Sequence, residues 1–323
     1  MRRRTLVLAA AALPAGAVAQ PGAGAPADPA LQAALRDYAA LPDETTLLVE
    51  AEAPAGAWRL AHQPDRPAFV GSCFKTFVLA AWLQEVEAGR RRLAEQVAID
   101  DEVRSLISPV FDHLSGSTTA RSVLEAMITH SDNTATDAAM RVIDVDRVRA
   151  VVERAGLRAT RIPASTRRMF TAMAGAPPGA DLGWVGVQRA LEQPVGPPRP
   201  PVNPYETSVS TAAELVGWYQ RVLAGAYFQR PESLTEFRRV QAMGDAIAMV
   251  VPPGIAAYAK GGSIFWQDSN AVAVAGQMVV CGRPATFCFT LTWSGPEAGN
   301  AARLDAFKDA VAAVLRRTVE MLS

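Results

Sequence analysis

The chain is poor in the residues that build metal centres and disulfide scaffolds: of 323 residues, three are cysteine and three are histidine. His62, His113 and His130 stand far apart and no pair has ligand spacing, so neither a metal nor any other cofactor is expected. An excess of one charge is lacking as well. Basic and acidic residues number 32 each, and Arg2, Arg3 and Arg4 fall in a leader, which leaves the remainder slightly acidic. Nucleic acid is therefore not an expected partner. Beyond the leader no apolar run is long enough to span a bilayer. A Gly-x-Ser-x-Gly elbow, the mark of many Ser-His-Asp hydrolases, is missing too. What is present is a chain that is 50% hydrophobic, enough to bury a sizeable core in one unit or two joined ones.

Residues 1–19 read as an export signal: three arginines, an apolar run from Leu6 to Leu13, and Ala17-Val18-Ala19 before Gln20. Delivery to a bacterial periplasm is expected, by the general or the twin-arginine route, with no membrane association after cleavage. Residues 20–29 are rich in Ala, Gly and Pro and read as a flexible linker. Three cysteines in an exported protein permit one disulfide. Cys281 and Cys288 flank the turn signal Gly282-Arg283-Pro284-Ala285, so they are read either as a bridge across a hairpin or as two free buried thiols. Cys73 is read as a small core filler.

Residues 30–323 form the expected domain. A short helix near Leu31–Ala40 precedes strand-like runs at Thr45–Glu52 and Trp58–His62. A helix opens at Ser72, apolar nearly all round, with Gly89 placed to end it. Thr119–Thr129 and a segment from Thr134 carry helical spacing. Strand signals return near Lys260, then at Ala271–Val280 and Thr286–Trp293, and Leu304, Phe307, Val311, Val314, Leu315 and Leu322 mark a closing helix. This order predicts an α+β part from both ends of the chain (30–70 and 205–323), with an antiparallel sheet flanked by helices, and an all-helical part between (71–204). A cleft between the parts is the natural site. Pro177–Pro204, with eight prolines, reads as a long irregular segment.

Three short motifs carry chemistry. Ser72 and Lys75 stand three apart on a helix, so a lysine amine can reach a serine hydroxyl, provided burial and a second cation keep that amine neutral. Ser131-Asp132-Asn133 falls between two helices, where it serves equally as a helix cap or as a projection of polar groups into a cleft. Lys260-Gly261-Gly262 opens a strand where a cation meets a substrate carboxylate and glycines let the backbone approach. His130 beside Ser131 is read as structural.

Together these motifs resemble those of the class A β-lactamases and their penicillin-binding relatives, which carry S-x-x-K, S-D-N and K-T-G in this order. Ile107-Ser108-Pro109-Val110, Ile128-Thr129 and Thr134-Ala135 extend the likeness, which covers about residues 30–323 except for one loop. The resemblance implies a helical part against an α/β part and an acyl-enzyme on serine. It implies Ser72 as nucleophile, Lys75 as proton acceptor and Ser131 as the donor to the leaving nitrogen. Asn133 would hold a substrate amide, Lys260 a substrate carboxylate, and Gly262 and Ser263 the approaching substrate backbone. The amides of Ser72 and Ser263 would form the oxyanion hole, and Ser263 could also donate its hydroxyl to the carboxylate. Gly261 departs from the usual hydroxyl residue.

A second departure concerns breakdown of the acyl-enzyme. Thr160-Arg161-Ile162 resembles the start of the loop that carries the family's deacylating glutamate, yet Thr166 stands at that position and no acid occurs from Arg154 to Ala180. Asp137 replaces a common asparagine. Asp181, Glu192 and Glu206 are the remaining candidates for a base, and Glu214 reads as a first-turn helix acid. Three readings follow: β-lactam hydrolysis, peptidase or esterase action on a peptide-like substrate, and a binder that stays acylated. The expected partner is a small acyl donor, and the protein a monomer.

Overall fold

The computed structural model of the chain describes residues 24, 26, 28–53 and 56–323, so the expected export signal and most of the expected linker lie outside the described residues. Helix α1 (Pro29–Ala39) begins ahead of Leu31 because Asp28 caps it, accepting from the Leu31 amide at 2.7 Å and pairing with Arg317. Pro29 is harmless in the first turn, where its missing N–H would have no helical partner. Strands β1 (Glu44–Ala53) and β2 (Gly56–His62) follow, and then the two-residue β3 (Ala68–Phe69).

Helices dominate the middle of the chain. In α2 (Lys75–Glu87) every residue from Lys75 to Leu83 is buried, as its all-round apolar character requires, and Gly89 follows its end at φ +72°. β4 (Gln96–Ile99) and β5 (Gly116–Thr119) form a small ladder with no signal in the periodicity, since four residues are too few to repeat. Then come α3 (Ala120–Thr129), capped by Thr119, α4 (Asn133–Ile143), capped by Asp132, and α5 (Val145–Arg154). Their apolar faces close on α2 in the largest core cluster.

α6 (Thr166–Met173) precedes the proline-rich segment, and α7 (Gly183–Glu192) places a helix inside it, which corrects the expectation that Pro177–Pro204 is irregular throughout. The prolines interrupt the chain without leaving it open. Arg199 donates to the carbonyls of Ala172 and Ala176 at 2.7 Å each, and Phe69, Met169, Phe170, Met173 and Val187 form a separate apolar cluster there.

β6 (Val209–Ser210) pairs with β3, and α8 (Ala212–Leu223), α9 (Pro231–Gln241) and the short α10 (Ala246–Val250) lead into β7 (Ala256–Trp266), β8 (Ser269–Val280), β9 (Arg283–Ser294) and α11 (Asn300–Leu322). The five long strands make one antiparallel sheet in the order β2-β1-β9-β8-β7. Residues of α1, α10 and α11 pack on one face, and α8 with the helical part on the other. This is the α+β arrangement expected from the order strands, helices, strands, helix.

The cysteine pair does not form. Cys281 and Gly282 are themselves the β8–β9 turn, both at positive φ, so Val280 pairs with Arg283 while Cys288 lies opposite Ala275. Cys281 is exposed, and all three cysteines are free. Pro284 suggests a later turn but sits within β9, at the end beyond its pairing with β1, where no ladder hydrogen bond to that strand is lost.

Candidate active site

Three segments meet beside β7: the start of α2, the loop between α3 and α4, and the middle of β7. They enclose a cavity of 320 Å³ that Ser72, Ser131, Asn133, Lys260, Gly262 and Ser263 line together. Lys75 lies beneath it, fully buried.

Two glycines set this meeting. Gly71 opens a 3-10 turn (Gly71–Phe74) at φ +50°, and a Cβ there would come within 2.8 Å of the Ser263 amide nitrogen. A Cβ on Gly262 would lie 2.1 Å from the Val70 carbonyl oxygen and 2.5 Å from the Ser72 amide nitrogen. The chain at Gly71–Ser72 is thus laid directly against the chain at Gly262–Ser263, an approach that side chains would forbid. The turn carries Ser72 to the cavity and turns Cys73 away from it. The Cys73 thiol is buried, donates to the Lys260 carbonyl at 3.2 Å, and is pushed up to about 12 by burial, which makes it an inert core group.

Lys75 Nζ donates to the Ser131 carbonyl at 2.6 Å and to Asn133 Oδ1 at 2.8 Å, and stands 3.2 Å from Ser131 Oγ. Burial, and next the charge of Lys260, hold its pKa well below the usual lysine range, against the opposing pull of Asp132, Asp137 and Asp245. Asn133 cannot flip without loss, because its Nδ2 donates to the Leu106 carbonyl at 2.8 Å. Asp132 plays the structural part. It caps α4 through the Ala135 amide at 2.7 Å and takes the amides of Val110 and Phe111 at 2.9 Å, fastening the segment around Ile107-Ser108-Pro109-Val110. Cap and cleft are both present in one tripeptide, with Ser131 held at φ +55° between them. His130 is exposed at the cavity wall.

Lys260 is buried on β7 and donates to the Gly261 carbonyl at 2.9 Å. Burial lowers its pKa, while Asp245 acts to raise it. Asp245, just ahead of α10, was not among the acids singled out from the sequence. It caps that helix through the Ala246 amide, its Oδ1 stands 3.9 Å from Lys260 Nζ, and no other acid lines this cavity among the described residues.

The acids weighed as bases are engaged elsewhere. Asp181 forms a two-pronged pair with Arg167 at 2.8 Å. Burial alone would raise it, but Arg167 and the Gly183 amide outweigh that and hold it low. Glu206 accepts from the Ala164 amide at 2.7 Å and pairs with Arg168 at 3.2 Å, and Glu192 is exposed at the end of α7. None of the three reaches the cavity. Glu214 is more than a first-turn acid, since it accepts from the Ala159 amide at 2.8 Å and Thr160 Oγ1 at 2.6 Å, anchoring the start of the loop. Thr166 does line the cavity. Behind it, the buried Asp137 accepts from the Thr166 amide at 2.7 Å, Thr166 Oγ1 at 2.9 Å and the Arg167 amide at 3.0 Å, and burial pushes its carboxyl up to about 6.

Residues 30–277 match the profile of the Beta-lactamase enzyme family. No match was found among functionally curated proteins. Among solved structures, a β-lactamase from Chitinophaga pinensis superposes with a TM-score of 0.72 at 14% identity, over 92% of this chain and 100% of that one. A β-lactamase from Sphaerobacter thermophilus gives 0.70 at 19% identity, over 91% and 97%. A point mutant of PBP-A, solved as an acyl-enzyme complex with penicillin G, gives 0.66 at 15% identity, over 90% and 96%. At these identities the likeness is one of fold, and it spans the sheet and the helical part alike.

Proposed function

The chain belongs to the β-lactamase enzyme family, and from that premise we propose an exported serine hydrolase that takes acyl groups, those of β-lactams included, onto Ser72 and releases them slowly. The bonding of Lys75 carries this reading. The Ser131 carbonyl and Asn133 Oδ1 only accept, so a neutral amine meets both with its two N–H groups and keeps its lone pair for a hydroxyl proton. Burial and the charge of Lys260 favour that neutral form.

The steps then follow. Lys75 takes the Ser72 proton as Oγ bonds to the substrate carbonyl carbon, the carbonyl to nitrogen bond breaks, and Ser131 passes a proton to the departing nitrogen and recovers one from Lys75. The amides of Ser72 and Ser263 receive the developing oxyanion, while Asn133 orients the substrate amide. Hydrolysis of the ester is the weak step, because Asp181 and Glu206 are tied to arginines and Glu192 is exposed away from the cavity. The PBP-A mutant has been captured as a penicillin acyl-enzyme, and the same kind of adduct is expected here.

Intact-mass measurement tests the reading. Wild-type protein should gain the whole mass of an added penicillin or of its methyl ester, since ring opening expels nothing, and Ser72→Ala should gain none. A folded wild-type chain that is neither labelled by nor turns over either compound sinks it. Turnover of esters or peptides with no ring opening would instead mark a peptidase or esterase.

A further inference from the structure

Among the described residues, Lys260 Nζ meets the Gly261 carbonyl at 2.9 Å and Asp245 Oδ1 at 3.9 Å. The Asp245 side chain is 45% exposed and lines the cavity, whereas that of Lys260 is 1% exposed. The position of the carboxylate is set, because Asp245 Oδ1 also accepts from the Ala246 amide at 2.8 Å at the start of α10. Ala246 in turn leans on β7, so that a Cβ at Gly261 would come within 2.8 Å of the Ala246 methyl. Two oddities of the sequence therefore have one cause. The close approach of α10 leaves no room for a hydroxyl residue at 261, and it brings an acid of the chain's own to the lysine.

From this geometry we infer that the site prefers apolar acyl donors, esters or amides, with no carboxylate beside the scissile bond. The inference rests on the reading of Ser72 as acylated nucleophile. A carboxylate arriving at Lys260 meets a cation that Asp245 already balances, and it is brought near a like charge in a partly water-excluded cleft, where such pairs repel strongly. Loss of the hydroxyl at position 261 removes a donor that such an anion would use. Lys308, the other lysine of the cavity lining, is likewise matched by an acid of the chain, Asp305 at 2.6 Å, and large apolar side chains stand around the opening beside His130. Ile107, Met249 and Phe265 are 67%, 55% and 44% exposed around the cavity, with Met169 and Phe170 in its wall. Exposed large apolar side chains gathered at one opening point to an apolar ligand.

A penicillin and its methyl ester share every atom of the reacting ring and differ in the charge and one methyl group, so the ratio of their acylation rates on Ser72, followed by intact mass, reads the preference, and its change on altering Asp245 isolates the part due to charge. The wild-type protein should react at least tenfold faster with the ester. Asp245→Asn and Asp245→Ser both retain a capping oxygen for Ala246, and in each the ratio of rates should move at least tenfold towards the free acid. A wild-type preference for the free acid, or a ratio that neither variant moves, overturns the inference. Absence of any adduct with either compound, in wild type and variants alike, overturns the acyl-enzyme reading beneath it.

Discussion

The two sides of the cleft treat their polar groups in opposite ways. At the seam of α2, the α3–α4 loop and β7, buried groups face inward: Lys75 Nζ meets the Ser131 carbonyl, Asn133 Oδ1 and Ser131 Oγ, with its pKa held low by burial and Lys260, and Ser72 stands open on the cavity. Along the flanking loop the buried or half-buried acids are already matched, Asp181 to Arg167, and Glu206 just past the loop to Arg168 and the Ala164 amide. A carboxylate that accepts several hydrogen bonds holds a loop well and serves poorly as a base. On the proposed reading, forming an acyl-enzyme and breaking it draw on separate walls, which makes the two steps separable.

Removing the useful amine should break the seam first. Lys75→Ala is expected to slow acylation by about 10²–10⁴-fold, read as the rate of mass gain, with little change in the circular dichroism of the folded protein. Comparable rates in variant and wild type would mean that another group takes the serine proton.

Giving the loop a free carboxylate should erase the contrast. Thr166→Glu alone would set a second acid against Asp137, so the informative variant is Thr166→Glu with Asp137→Asn. Its acyl-enzyme is expected to decay on the order of 10²-fold faster than that of wild type, followed as loss of the adduct after excess penicillin is removed. An adduct of unchanged lifetime would move the cause of slow release away from the loop.

The smallest expected effect concerns Asp137 itself. Burial raises its folded pKa from 3.8 to about 6, so the folded chain retains a proton that the unfolded chain releases between those values. Stability from this group is thus fully present below about pH 4 and is lost as pH rises through about 6. Asp137→Asn removes that slope, and the variant should gain on wild type by about 2–3 kcal/mol between pH 4 and 7. Denaturant unfolding at the two pH values measures it, and parallel curves for the two proteins would show that Asp137 titrates normally.

Legibility in the sequence followed the range of the interaction. Asp132 and Thr119 cap helices that periodicity had already outlined, and the α11 stripe from Phe307 to Leu322 is buried as its spacing requires. Short ladders such as β3–β6 and β4–β5 had no repeat to read. Pro284 looked like a turn and lies in a strand, since the pairing that excuses it is made, or not made, by another part of the chain. Asp245 was missed for a similar reason. Nothing local distinguishes a helix-capping aspartate from one that also faces Lys260 across a cavity.

The sequence by itself determined the order of the long strands and the amphipathic helices it outlined, the i, i+3 placement of Ser72 and Lys75, and the absence of an acid from Arg154 to Ala180, because propensity, spacing and composition are local properties. Only the tertiary structure decided where the remaining acids go. Asp181 meets Arg167, Glu214 meets Thr160, and Asp245 meets Lys260, because charges find partners through space, in a packing that the whole core must first set.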